Sequence, residues 1–477
     1  MSRSVLHQLL HSTAHESAGT PVKLQAGWNQ RVWPSSDQIR AERARWRARD
    51  PLNAKVHLAL SCVFLVLVSS PVSIVEIAGI PLWICAVIGL RHTYKLMLWS
   101  IVSPISLVII AWTAFRFLSL TWSPDVVLGL DHLASLRWLW AIPMLAPVLD
   151  QRRALVSALS AGVALGMLAQ LVNWIGPALN LYDPIWIRAE DRFSGWWHPV
   201  IAGTILVASL GLHAPIAICT TGRNRMLAIT LILCACVAIM ATGSRGAWIE
   251  GAAVLSMIAL AVFVRLVQIA AGRRIWLVFG GFATVIVLVC GAAWMLFGTS
   301  ISARYELARN EITQAIDQQN YSTDTGARMA MLVMGWQCFT HHAVLGVGEG
   351  GFASWSRTQL AQSSDPEIDV NRVIHNHAHN TYVHTLATGG ILSALSGACM
   401  IVFAIGNAFS VLPGPNQRNN GLQLTPSHIY AIAPACALLA IMVAGLFDSI
   451  HINAQTSAWV FTLVALCQHE PVRDGDT

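Results

Sequence analysis

MLAITLILCACVAIMA, residues Met226–Ala241, runs without a charge and passes straight through TGSRGAW (Thr242–Trp248) into a further apolar run. A bilayer core of about 30 Å is crossed by about 20 apolar residues in helical form, so the first run reads as a membrane span. Val56–Val72, Ala154–Val172 and Ile275–Phe297 read the same way. Each span must satisfy its backbone hydrogen bonds internally, so several of them dictate a helical bundle. The chain of 477 residues is 11% charged and 55% hydrophobic, against about a quarter charged for a soluble domain. That balance excludes a water-soluble globular fold, and counting the runs gives about twelve spans.

The amino-terminal residues are polar and basic, with Arg40, Arg43, Arg45, Arg47 and Arg49 crowded ahead of the first span. A cleavable signal peptide would place its apolar stretch within about the first 30 residues. The segment therefore reads as a cytoplasmic lead in contact with anionic headgroups, not as a nucleic-acid binder. Basic pairs recur at every second turn: Arg91 with Lys95, Arg152 with Arg153, Arg223 with Arg225, Arg273 with Arg274, and then Arg418. By the positive-inside bias these turns and both termini are cytoplasmic.

The opposite turns then lie outside: Ser119–His132, Ala178–His198, Thr242–Gly246, a long segment near Thr299–Thr388, and Asp448–Asn453. A connector as long as the fourth is expected to fold as a helical cap. The expected division is a cytoplasmic segment 1–54, transmembrane helices one to nine over 55–298, a periplasmic loop domain over 299–388, helices ten to twelve over 389–468, and a cytoplasmic tail 469–477. The fold class is thus an all-α, polytopic membrane bundle of about twelve transmembrane helices with a long, mostly helical periplasmic loop domain. Eight of the ten cysteines sit in apolar runs and there is no CxxC pair, so they read as packing residues. An apolar exterior leaves the oligomeric state open.

Arginine outside runs against the orientation bias. Arg188 and Arg192 share one outer loop, Arg245 occupies the tight turn, Arg328 lies in the long loop, and Arg116 and Arg137 stand near outer helix ends. A guanidinium presents a fork of donors matched to phosphate oxygens. Several of them without a matching acidic cluster point to an anionic ligand, although any single one is more often a surface residue. Arg245 is the strongest case, because a charge between two apolar runs is costly without a partner.

HNHAHNTYVHTLATGG carries His375, His377, His379 and His384 where the long loop re-enters the membrane. Imidazole titrates nearest neutrality and suits the removal of a proton from a hydroxyl. The same run admits a metal site with Asp365, Glu367 and Asp369, or loop histidines bonded to carbonyls. No further ligand pattern supports the metal. The glycine-rich turn Gly346–Gly351 lacks the strand–turn–helix setting of a nucleotide fingerprint.

His379–Asn380 followed by Gly390 resembles the signature of the O-antigen ligase family, bacterial integral-membrane glycosyltransferases. Ala327–Phe352 resembles the family's arginine helix with its Gly-Val-Gly turn and following aromatic. DRFSGWWHPVIAG (Asp191–Gly203) resembles its arginine-glycine loop, and TGSRGAW its serine-arginine-glycine turn. The resemblance spans roughly residues 100 to 410, in the same order.

It implies transfer of a polysaccharide from undecaprenyl diphosphate to a hydroxyl of the lipid A core, with inversion and without metal or cofactor. The setting would be the periplasmic face of a bacterial cell inner membrane. His379 would be the catalytic base, and Arg192, Arg245 and Arg328 would hold the diphosphate. Asn380 would orient His379, Tyr382 or Trp336 would stack on a sugar or pack on lipid, and Glu349 reads as a secondary acid or acceptor-orienting group; Trp196 and Trp197 read as interface anchors. The partners would be the lipid-linked glycan donor, the lipid A core acceptor and the bilayer, with no nucleic acid. The alternative within the family is an O-antigen or exopolysaccharide polymerase, which would join repeat units while both stay on the lipid carrier. A lipid-linked glycan transporter would spread basic residues along a path through the bundle.

Overall fold

The computed structural model describes residues 34–183, 185, 192–269, 274–362, 374–412 and 425–468. Arg188, Asp365, Glu367, Asp369, Arg273 and Arg418, most of the amino-terminal lead and the carboxyl-terminal tail lie outside the described residues. Every regular element among the described residues is a helix. In chain order these are α1 (Ser36–Arg49), α2 (Pro51–Leu67), α3 (Val72–Ile101), α4 (Pro104–Ser119), α5 (Val126–Ala134), α6 (Ala141–Leu145) and α7 (Arg152–Ala178). There follow α8 (Pro199–Cys219), α9 (Gly222–Ala241), α10 (Arg245–Ile269), α11 (Arg274–Asp317), α12 (Asp324–His341), α13 (Gly351–Gln362), α14 (Thr381–Phe409), α15 (Pro426–Ala444) and α16 (Ala454–Leu466).

Seven helical runs among the described residues are long and apolar enough to cross a membrane, or eight if α1 and α2, bent by 112°, form one broken span. Two shorter apolar helices, α4 and α16, fall below that length. The expected count was about twelve. Part of the difference lies in Val126–Pro177, where α5, α6 and α7 follow one another through 3-10 turns and count as one run of 52 residues, chain enough for two crossings at about 20 residues each. The expected limits near 298 and 388 fall inside α11 and α14, which continue through them.

α8 is apolar on all sides and buried along its length, as such a helix must be. α15, α9 and α10 enclose it. The absent side chain of Gly211 permits close approach to α15, since a Cβ there would lie 2.4 Å from the Cys436 carbonyl oxygen. The amino-terminal arginines are more than a headgroup contact. Arg43 is buried and donates to the carbonyls of Pro147 and Ala146 at 3.0 and 2.8 Å, and Arg47 grips Asp150 with both prongs. They clamp α1 onto the chain between α6 and α7.

A second, smaller core lies beside the bundle. Ala327, Met331, Met334 and Cys338 of α12 pack on Val347, Phe352, Ala378 and Ala387. This packing fixes α12 and the glycine-rich turn against the first turns of α14.

Candidate active site

The start of α14 is set by Asn380. Its side-chain oxygen accepts from the backbone N–H groups of Tyr382 and Val383, both at 3.0 Å, and its amide donates to the Leu446 carbonyl at 2.9 Å. Thr381 continues the attachment: its N–H donates to the Gly445 carbonyl at 2.7 Å and its hydroxyl to the Asp448 carbonyl at 2.8 Å. Tyr382 spends its hydroxyl on the Met442 carbonyl at 2.6 Å. An N-cap and its neighbours thus bind α14 to the turn after α15.

That attachment brings Asp448 to His379, with Nδ1 and Oδ1 3.5 Å apart. His379 has φ +48°, uncommon for a residue with a side chain and found where surroundings over-determine the backbone. The His379 N–H donates to His377 Nδ1 at 3.2 Å, and the two rings lie 4.1 Å apart. Burial first, then the neighbouring His379, push His377 down to about 3, so it is neutral near pH 7. Burial alone would raise the Asp448 carboxyl, but His379 at 3.5 Å and the Ser449 N–H, which donates to Oδ1 at 2.8 Å, help to bring it below its ordinary value. A neutral His377 and an ionised Asp448 flank one partly exposed imidazole. His379 is distinguished by these neighbours from His375, which is exposed, and His384, which is buried inside α14.

The arginines assemble from separate elements. The Thr242–Gly246 turn needs Gly243 at φ +60°, and the Thr242 hydroxyl accepts the Ser244 N–H, which presents Arg245 as the first residue of α10. Arg245 Nη1 pairs with Glu311 Oε2 at 2.9 Å, and Glu311 also accepts the Thr325 hydroxyl. Arg192, half buried, is pulled down by burial and then by Arg304, Arg245 and Arg328, against which Asp324 works. Those three guanidinium groups therefore lie within electrostatic reach of Arg192. Glu250, buried in α10, lies within electrostatic reach of both Arg328 and Asp448.

Glu349 is committed to a buried ion pair. Arg116 Nε and Nη2 hold its two oxygens at 2.8 and 2.7 Å, and both side chains are 3% exposed. Burial would raise this carboxyl, but Arg116, with hydrogen bonds from it and from His132, holds it well below the usual carboxylate range. It is a permanent anion that ties the glycine turn to α4. The glycines serve the same close packing: a Cβ on Gly346 would lie 2.3 Å from the Thr388 backbone, and one on Gly350 2.3 Å from Gly129 N.

The buried His132 and His384 and the half-buried His451 form a layer beside this pair, with rings 5.8 and 5.7 Å apart on either side of His384. His132, Glu349 and His384 bring three ligand-type atoms within 4.8 Å of one another, as do His377, His379 and Asp448. The first group does not suit a divalent cation, because Arg116 already holds both Glu349 oxygens and its charge would repel one.

Trp197 departs from the interface-anchor expectation. It is fully buried in the space left by Gly166, and both its indole and that of Trp196 donate to the Ser69 carbonyl. Asp448, Glu311, Arg304 and Glu250 were not singled out from the sequence. Each is an ordinary acid or base in a common local pattern, and only the fold joins it to the site.

Residues 229–396 match a family model described as O-antigen ligase, which supports the family resemblance over that stretch. The match contains Arg245, Arg328 and His379. Comparison with curated proteins gives no match.

Proposed function

We propose that the protein is an O-antigen ligase: a metal-independent, inverting glycosyltransferase that moves a polysaccharide from undecaprenyl diphosphate to a hydroxyl of the lipid A core, on the periplasmic face of the inner membrane. The observation that carries this reading is the gathering of Arg192, Arg245, Arg304 and Arg328, with Arg328 and the Asp448 that faces His379 both within electrostatic reach of Glu250. Diphosphate as leaving group needs fixed positive charge where its own negative charge develops, and preorganised donors are commonly the largest catalytic contribution.

His379 directs Nδ1 toward Asp448, which leaves Nε2 for the acceptor hydroxyl. As the hydroxyl oxygen attacks the anomeric carbon, its proton passes to Nε2 and the bond from that carbon to the diphosphate oxygen breaks. The bonding pair leaves on the diphosphate, held by the arginines, and attack from the opposite face inverts the centre. Asp448 orients the imidazole and stabilises the imidazolium. Asn380 places His379 by capping α14, while Glu349 and Tyr382 support the scaffold. A polymerase would run the same chemistry with the acceptor also on a lipid carrier. A transporter fits less well, since these arginines gather within electrostatic reach of Arg192 and are not spread along a path.

The test is transfer by the purified protein in detergent with chelator, from an undecaprenyl-diphosphate-linked glycan to rough lipopolysaccharide. Glycosylated lipopolysaccharide that disappears with His379→Ala supports the ligase. Lengthened donor chains with a bare acceptor make it a polymerase, and neither product overturns the transferase reading.

A further inference from the structure

Gln170 is a buried amide, 3% exposed, on α7. A primary amide among apolar helices is costly unless bonded. Its Nε2 donates to two carbonyls on different elements: Phe193 at 2.5 Å and Ala238 at 2.8 Å. Phe193 directly follows Arg192. Ala238 lies in the last turn of α9, and its carbonyl also accepts the Thr242 N–H that opens the turn bearing Arg245. A third bond, from the Phe193 N–H to the Ala241 carbonyl at 3.0 Å, joins the two stretches of chain directly.

Both neighbours of Nε2 are acceptors, so the amide has one workable orientation; turned over, its oxygen would face two carbonyls. Packing gives the same anchorage. Gly195, at φ +61°, brings the Arg192 loop so close that a Cβ would lie 2.9 Å from Gln170 N. The Trp174 and Phe193 rings meet at 5.9 Å.

We propose that Gln170 is a positioning residue that fixes Arg192 relative to Arg245, and so sets the spacing of the guanidinium groups that receive an isoprenoid diphosphate. The inference rests on the diphosphate reading above. Arg192 has no element of its own to hold it, because it lies at the edge of a loop, whereas Arg245 and Arg328 sit on helices. Gln170 supplies from α7 an anchor for the backbone next to Arg192.

The test is the affinity of the full-length protein in detergent for farnesyl diphosphate, by titration calorimetry. Wild type is compared with Gln170→Met, Arg192→Ala, Arg328→Ala and the two doubles that pair Gln170→Met with each arginine variant. Gln170→Met should weaken binding about tenfold. It should add nothing to Arg192→Ala yet multiply the loss of Arg328→Ala, since only groups that act together are non-additive. A general loosening of the fold would weaken both backgrounds alike, and that outcome overturns the inference. Wild-type affinity in Gln170→Met, with both arginine variants weakened, overturns it while leaving the diphosphate reading intact. Wild-type affinity in both arginine variants overturns the two together. If Gln170→Met is not monodisperse, Gln170→Asn replaces it, because its shorter amide cannot reach both carbonyls and the same pattern is expected.

Discussion

His379 Nδ1 lies 3.5 Å from Asp448 Oδ1, across 69 positions of chain, because Asn380 and Thr381 are bonded to the turn that carries Asp448. A carboxylate in that position selects the imidazole tautomer and stabilises the cation formed on proton uptake. Asp448→Asn keeps the shape and removes the charge. It should lower kcat by about a hundredfold or more while leaving affinity for the donor near wild type, in keeping with the weight of general-base catalysis. Steady-state transfer kinetics with the donor varied will check this. An unchanged kcat in Asp448→Asn would remove Asp448 from the mechanism.

Arg245 and Arg328 should not tolerate lysine. A lysine keeps the charge but replaces a planar fork by a point donor. Arg245→Lys also has to share Glu311, which accepts the arginine at 2.9 Å. Each variant should lose at least about tenfold in kcat/KM for the lipid-linked donor, a loss of about 1.4 kcal/mol in transition-state binding. Full turnover in both lysine variants would refute the diphosphate role.

The Arg116–Glu349 pair makes a separate prediction about stability. Removing one partner of a buried ion pair leaves the other charge stranded, at a cost of about 3–5 kcal/mol, whereas replacing both with apolar groups costs far less. Glu349→Gln and Arg116→Met should therefore each melt well below wild type, and Arg116→Met with Glu349→Leu should melt above either single variant. If the double variant is the least stable, the pair is more than a clamp.

The sequence made the membrane character plain because apolar runs and basic turns are local signals. It also marked His379, Arg192, Arg245 and Arg328 through short motifs that lie on the chain. What it could not mark was anything created by long-range contact. Asp448 faces His379 only through the capping bonds of Asn380, and Glu349 looked free for acid chemistry because its partner Arg116 is 233 positions away. Trp197 looked like an interface anchor, but Gly166 admits its ring to the interior. The count of spans suffered for a related reason: a hydropathy run does not say whether successive helices such as those of Val126–Pro177 turn back or follow on.

Acid should destabilise the site before it unfolds the bundle. Burial and its neighbours push His377 down to about 3, and burial of its ring, then Arg116, likewise push His451 down to about 3, from an ordinary 6.5. In the unfolded chain these imidazoles take protons as pH falls through about 6.5, while in the fold they resist until far lower, so stability is full above that value and declines below it. Glu349 works in the same direction at lower pH: its carboxyl is depressed from 4.5, so its contribution is present above 4.5 and is lost as pH falls toward its folded value. The melting temperature in detergent should therefore hold steady above about pH 6.5 and fall progressively from there to about pH 5, with these two histidines among those responsible. His377→Gln cannot take up a proton and should show a shallower decline over that interval. Parallel declines in the variant and wild type would mean that His377 is not kept neutral by the fold.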